Sequence, residues 1–222
     1  MIKSYPQPVL VLLLAVFSAP ALLLAGEPAD QIKQTTDQIL AIVQDPALKG
    51  ADKEDARQKQ MRKVVDQRFD WAEMARSAYG KTWKDLTEAK RTAFTGLFSD
   101  LVNKNYMSKV ESYSGEKIQY TGDKVDGKYG VVEVVIVTLR GTDIPVSYRV
   151  LKIDSKWMIY DVVIEGMSMV NNYRSQISAV LDSSSYDTLI VRIRAKIAAT
   201  ASVKDENKTT TAPKPASGEG VR

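Results

Sequence analysis

Few side chains in this 222-residue chain can do chemistry, because it contains neither histidine nor cysteine. The first absence removes histidine triads, imidazole bases and nearly every zinc, copper or haem ligand set; the second removes disulfides and a lipidation cysteine. Any reaction would rest on Asp, Glu, Lys, Tyr, Arg or Ser. Asp161 and Glu165 lie four residues apart. On a strand that spacing puts them on one face about 13 Å apart, too far for a carboxylate pair. Tyr148 beside Asp161 would imitate a proton-transfer site, with an Asp base and a Tyr oxyanion donor acting on an apolar substrate. A buried Tyr and a surface Asp account for the same two residues without chemistry. Asn171-Asn172-Tyr173-Arg174 follows Ser168. Either these residues open a helix with Tyr173 and Met169 inward, or Arg174 stands at a cavity mouth, where its guanidinium would pair with a phosphate. No Gly-rich phosphate loop, Walker pattern or nucleophile elbow is found.

The elements that would position these residues are legible from spacing. Ile32, Thr36, Ile39, Leu40 and Val43 recur at helical intervals until Asp45-Pro46, and Asp52 to Gln67 places Ala56, Met61, Val64 and Val65 on one stripe. Asp70, with Glu73 three residues on, predicts a capped helix that starts after Phe69 and stops near Gly80. Thr87 caps a longer helix whose stripe is Ala93, Phe94, Leu97, Phe98, Leu101, Val102 and Tyr106. After Ser114-Gly115 the character changes. Segments 117–121, 130–139, 144–153 and 157–164 are rich in Val, Ile and Tyr and separated by Gly and Asp turns, which predicts a four-stranded antiparallel meander. Ser168 caps a helix through Leu181, and Tyr186 to Ala198 forms another. Residues 204–222 have the composition of a disordered tail. Helices, then strands, then helices argue an α+β fold, with a helical part at about 29–113, a sheet at about 117–165 and C-terminal helices at about 168–199.

The chain opens with Lys3 and an apolar run from Val9 to Ala25, broken by Ser18 and Pro20, before Gly26-Glu27-Pro28. This reads as a signal peptide over 1–26, cut after Ala25 or Gly26; an uncleaved anchor is the rival, at the lower edge of spanning length. The folded domain then spans 27–203. Net charge is +4, with basic residues interleaved among acids and no basic, aromatic-laced run of the kind that tracks a phosphate backbone, so no nucleic acid partner is expected.

The predicted strands carry more apolar residues than a sheet with one wet face requires. Val131-Val132 and Val134-Val135-Ile136-Val137 are almost continuous, so both faces of the central strands are expected to be covered. Either helices fill that space solidly or part of it is a cavity. The hairpin register is open as well: a two-residue loop at Asp154-Ser155 pairs Val150 with Ile159, and a three-residue loop pairs Arg149 with Asp161. One slip exchanges the faces.

The run from Trp157 to Arg174, WMIYDVVIEGMSMVNNYR, resembles the signature of the MlaC family, also called the toluene-tolerance auxiliary family of ABC transporters. Phe69-Asp70, Met74-Ala75-Arg76, Tyr79-Gly80, Trp83, the helix bearing Phe94, Phe98, Leu101 and Tyr106, and Tyr148-Arg149 stand in that family's order. The likeness runs from about Ala29 to Ala198. Thr82 stands where relatives often carry His, and the tail beyond Val203 is outside the pattern.

The resemblance implies an NTF2-like curved sheet of about four strands packed with helices around a lipid cavity, no enzymatic activity and no cofactor beyond bound phospholipid as cargo. It implies a periplasmic shuttle exchanging phospholipid with an inner-membrane MCE-domain protein of an ABC transporter and with an outer-membrane lipoprotein complex, thereby maintaining outer-membrane asymmetry. Two chains of about 16 carbons expose on the order of 25 kcal/mol of apolar surface to water, which calls for a dry pocket of about 1,000 Å³. On this reading the tails would be lined by Tyr106, Val134, Ile136, Tyr148, Trp157, Val163, Met167, Val170 and Tyr173. Arg149 and Arg174 would contact the headgroup or a partner. The rivals are a proton-transfer enzyme using Asp161 and Tyr148, and a transporter adaptor with a solid core.

Overall fold

The three expected helix caps are formed, and they fix where the helical layer begins and ends. In the computed structural model, which describes residues 27–210 with side chains through Ala199, Asp70 accepts a hydrogen bond from Glu73 N at 2.9 Å. Thr87 accepts from Lys90 N at 3.3 Å and Ser168 from Asn171 N at 3.1 Å. The expected signal peptide and residues 211–222 lie outside the described residues.

Among the described residues six α-helices result: α1 (Glu27–Gln44), α2 (Glu54–Asp66), α3 (Trp71–Tyr79), α4 (Glu88–Glu111), α5 (Met169–Leu181) and α6 (Tyr186–Thr210). Gly80 ends α3 with φ +89° and its N–H on Arg76 O. Helix α6 continues to Thr210, past the expected start of the tail at 204, because neither Gly nor Pro interrupts the sequence before Pro213.

The sheet is a meander, β1 (Lys117–Asp126), β2 (Tyr129–Val137), β3 (Asp143–Ile153), β4 (Lys156–Ile164) and a two-residue β5 (Met167–Ser168), in spatial order 1-2-3-4-5. It has one strand more than the sequence suggests. The Glu165-Gly166 turn supplies β5: both residues have positive φ, +50° and +80°, as a tight primed hairpin turn requires.

Both hairpin registers that the sequence leaves open are present in one strand pair. Val150 pairs with Ile159, Arg149 pairs with Asp161, and Tyr160 is the extra residue of a β-bulge between them. The bulge reverses the alternation along β4. Before it Trp157 and Ile159 face the core; after it Val162 does, at 6 % exposure.

One sheet face is buried and the other is not. Val132, Val134, Val146 and Val150 are at most 4 % exposed, whereas Val131, Val135, Val137 and Leu151 on the opposite face keep partial access to solvent. The expected cover over both faces is therefore not found on the central strands. Their valines serve strand formation there as much as burial, since β-branched side chains fit a pleated, half-buried surface.

The edges of the sheet are treated differently. Along β4, Asp70 N donates to Ile159 O and Ile159 N to Arg68 O, both at 2.8 Å, so Arg68–Asp70 covers one stretch and β5 the next. At the other edge, β1 carries exposed Lys117 and Lys124 and an irregularity between Tyr120 and Gly122.

The core divides into a filled half and a hollow half. In the filled half, Tyr79, Trp83, Phe94, Phe98 and Tyr173 form a chain of ring contacts 5.0 to 6.1 Å apart that joins α3, α4 and α5. The hollow half lies between α1, α2, α4 and the sheet.

Candidate functional site

Aliphatic side chains predominate in the hollow half, and its four aromatic wall residues leave a space unfilled. Its cavity holds about 230 Å³. Helix α1 contributes Ile32, Thr36 and Ile39, α2 Met61 and Val65, and α4 Val102, Asn103, Tyr106, Met107 and Val110. The sheet side is Ile136, Val146, Tyr148, Ile159, Val162 and Ile164, with Met169 at the start of α5 and Phe69 and Trp71 at the α2–α3 junction.

The polar groups at this wall are mostly satisfied. Thr35 donates to Gln31 O and accepts from Arg68 Nε, and Thr36 donates to Ile32 O and accepts from the Tyr120 hydroxyl at 2.9 Å. Arg68 also donates to Gln31 Oε1 and Trp157 O, tying α1 to the β3–β4 hairpin. Burial pushes the Tyr148 phenol up to about 12, so it stays neutral at any physiological pH. A neutral, largely apolar wall is what hydrocarbon requires.

Of the nine side chains expected to line a lipid site, Tyr106, Ile136 and Tyr148 stand on this wall. Val134 and Trp157, each 2 % exposed, are packed in the core beside it. Val170 and Tyr173 belong to the filled half, where the Tyr173 hydroxyl accepts from Asn105 Nδ2 at 2.8 Å. Val163 is turned off the wall by the bulge at Tyr160, which gives its place to Val162 and Ile164. Met167 is 66 % exposed at the sheet edge, and Met169 is the methionine that reaches the cavity. The α1 and α2 wall residues had a visible signal in their helical stripes. What spacing alone lacked was the fact that these stripes face the same strands.

The two arginines lie apart from the cavity. Arg149 pairs with Asp161 at 3.2 Å. Arg174 donates to Ser77 O at 2.6 Å and lines a separate groove with Arg76, Lys81 and Lys84. The proton-transfer arrangement is not assembled either. Asp161, 3 % exposed, accepts from Arg149, from the Ser168 hydroxyl at 2.6 Å and from Val170 N at 3.0 Å, so its carboxylate anchors the start of α5. Tyr148 belongs to the next pair along, opposite Val162, and faces the cavity. Among the described residues no cluster of acidic side chains is placed to hold a metal ion, and no helix is long and apolar enough to cross a membrane.

Comparison with known proteins agrees with this architecture. A solved structure of a phospholipid-binding protein from Ralstonia solanacearum, in complex with a phospholipid, superposes with a TM-score of 0.69 over 79% of this chain and 99% of its own, at 22% identity. The Haemophilus influenzae intermembrane phospholipid transport system binding protein MlaC is 23% identical over 120 residues, which are 52% of this chain. The match spans 56% of that relative's own length. The sequence pattern of the MlaC protein family matches residues 33–195, most of the described fold, and the chain belongs to that family.

Proposed function

We propose that this protein binds phospholipid by its acyl chains and carries it across the periplasm between inner- and outer-membrane complexes of the Mla type. The observation that carries the reading is the neutral, apolar cavity between the sheet and α1, α2 and α4. The phospholipid bound by the structural relative and the transport role in the name of the H. influenzae relative support it. Export by the N-terminal signal, an MCE-domain partner at the inner membrane, a lipoprotein partner at the outer membrane and upkeep of outer-membrane asymmetry belong to the same proposal. Arg174, with Arg76, Lys81 and Lys84 in a groove of about 790 Å³, is suited to partner contact.

The cavity is far smaller than the roughly 1,000 Å³ expected for a whole diacyl lipid, and lies below the range of about 300–1,000 Å³ typical of ligand pockets. Housing a whole diacyl lipid therefore requires the cavity to widen.

The test is to purify the mature protein from the periplasm, extract it with organic solvent and identify lipid by mass spectrometry, with native mass spectrometry giving the stoichiometry. Phospholipid at close to one molecule per chain is expected. Protein that arrives empty and takes up no lipid from vesicles would refute the reading.

A further inference from the structure

Helices α2 and α4 are joined by long polar side chains at two places. Near one end Arg57 donates to Glu111 Oε1 at 2.8 and 3.0 Å, and Gln58 donates to Glu111 Oε2 at 3.0 Å. Further along, Arg62 donates to Asp100 Oδ1 at 3.0 Å and to the Ser99 hydroxyl at 2.8 Å. Between the two joins the seam is closed by Met61 and Met107, with Asn103 beside them. Methionine is unbranched and adapts its shape at little cost, which suits a closure that must part and re-form.

The two sides of this seam differ sharply in chemistry. Inside is the apolar cavity. Outside is a cleft of about 370 Å³ lined by Gln58, Lys59, Arg62, Asp100, Asn103, Lys104 and Met107, with Ile197 of α6 at its edge. Asn103 and Met107 line both spaces. Arg62 is matched by Asp66 and Asp100. Lys59 and Lys104 form no ion pair with a described residue, so the cleft carries surplus positive charge next to an apolar chamber.

That juxtaposition has the polarity of a phospholipid: hydrocarbon on one side, phosphate on the other. We infer that the α2–α4 seam is the port through which acyl chains enter, and that Lys59 and Lys104 hold the lipid phosphate in the cleft outside it. The inference rests on the carrier reading above and assigns the headgroup to a place that neither Arg149 nor Arg174 occupies. Phosphate is the shared chemistry of a lipid headgroup and of the free ion. The adjoining hydrocarbon space favours the headgroup, because a free ion has no use for it.

Two measurements test this. In the first, the full mature protein is given phosphatidylglycerol or uncharged diacylglycerol in non-ionic detergent micelles. The wild type is expected to bind phosphatidylglycerol about tenfold more tightly, as charge-assisted contacts to a phosphate would produce. K59E/K104E should lose that preference while holding diacylglycerol as before. A preference unchanged in K59E/K104E would overturn the phosphate site, and binding of inorganic phosphate with no preference for phosphatidylglycerol over diacylglycerol would assign the lysines to the free ion and overturn the headgroup assignment. In the second, Arg62→Cys and Asp100→Cys supply the chain's only thiols. Joining them with a short cleavable bis-thiol reagent should slow lipid uptake from vesicles at least about tenfold, with recovery on cleavage. The control join is Lys33→Cys with Asp37→Cys, an exposed pair within α1 off the cavity wall, and should leave uptake unchanged. Uptake as fast in the α2–α4-joined protein as in the cleaved one, or blocked only by the control join, would overturn the port. A wild type that binds neither lipid would overturn the carrier reading, and this inference with it.

Discussion

Replacing Asp161 with Asn separates a structural role from a catalytic one. The carboxylate is buried and accepts three hydrogen bonds, from Ser168 Oγ at 2.6 Å, Val170 N at 3.0 Å and Arg149 at 3.2 Å. Two of these fall on Oδ2 and one on Oδ1. An asparagine keeps an acceptor for Val170 N but presents an NH₂ group where Oδ2 was, so the Arg149 contact is lost and Ser168 must turn from donor to acceptor. Hydrogen bonds to a charged acceptor contribute about 1.5–3 kcal/mol each. The Arg149 side chain is 43 % exposed and regains water when released, so its share is discounted. The expected loss is about 2–4 kcal/mol, or roughly 5–12 °C in Tm for a domain of this size. D161A, which also strands the Val170 N–H, should lose about 4–5 kcal/mol. Urea unfolding followed by circular dichroism reads both, with an unchanged m-value showing that the denatured state is the same. Phospholipid retention in D161N, measured well below its lowered Tm, should equal that of the wild type. A D161N variant within about 0.5 kcal/mol of the wild type would refute the anchoring role.

Further outcomes follow from other contacts. Because burial raises the Tyr148 phenol to about 12 from an unfolded value of 10, the folded state resists ionising it. Its contribution is intact below pH 10 and is lost as pH rises from 10 to 12, by about 2–3 kcal/mol; the difference in unfolding free energy between wild type and Y148F should show this slope, and a flat difference would contradict it. Gly130→Ala would bring a Cβ to 3.1 Å from Val150 Cγ2, 3.2 Å from Lys124 O and 3.3 Å from the Trp157 ring, so thermal unfolding should show a loss of about 1–3 kcal/mol, and an unchanged Tm would mean that the sheet yields there. The Arg57–Glu111 pair has side chains only 15% and 10% exposed; R57A should cost about 2–3 kcal/mol and R57M/E111M less than half of that, since the double variant leaves no unpaired charge. Equal losses in the two variants by urea titration would exclude that account.

Local signals located nearly every element, and the reason is visible at particular residues. Asp70, Thr87 and Ser168 each satisfy an exposed N–H of their own helix, so their effect is written within four residues of sequence. The site was less legible because it depends on tertiary alignment. A single inserted residue at Tyr160 decides whether Val162 or Val163 faces inward, and the two registers open from the turn sequence coexist on its two sides. Arg174 lies in the second turn of the helix capped by Ser168, a place compatible with a phosphate ligand, yet the packing of α3 against α5 turns it onto Ser77 O. The distinction between the filled and hollow halves depended on where five aromatic rings converge, which no spacing rule encodes.

The two edges of the sheet bear on how the proposed carrier would behave between cargoes. Along β4 the segment Arg68–Asp70 and β5 occupy hydrogen-bonding positions, and at the far side β1 presents Lys117 and Lys124 with an irregular backbone near Gly122. Parting the helical layer would bare hydrocarbon, the condition under which β-rich chains stack on one another and form fibrils. With β4 covered and β1 irregular and charged, neither border offers a second copy a straight strand to extend, and the proposed carrier, once emptied, should resist self-association.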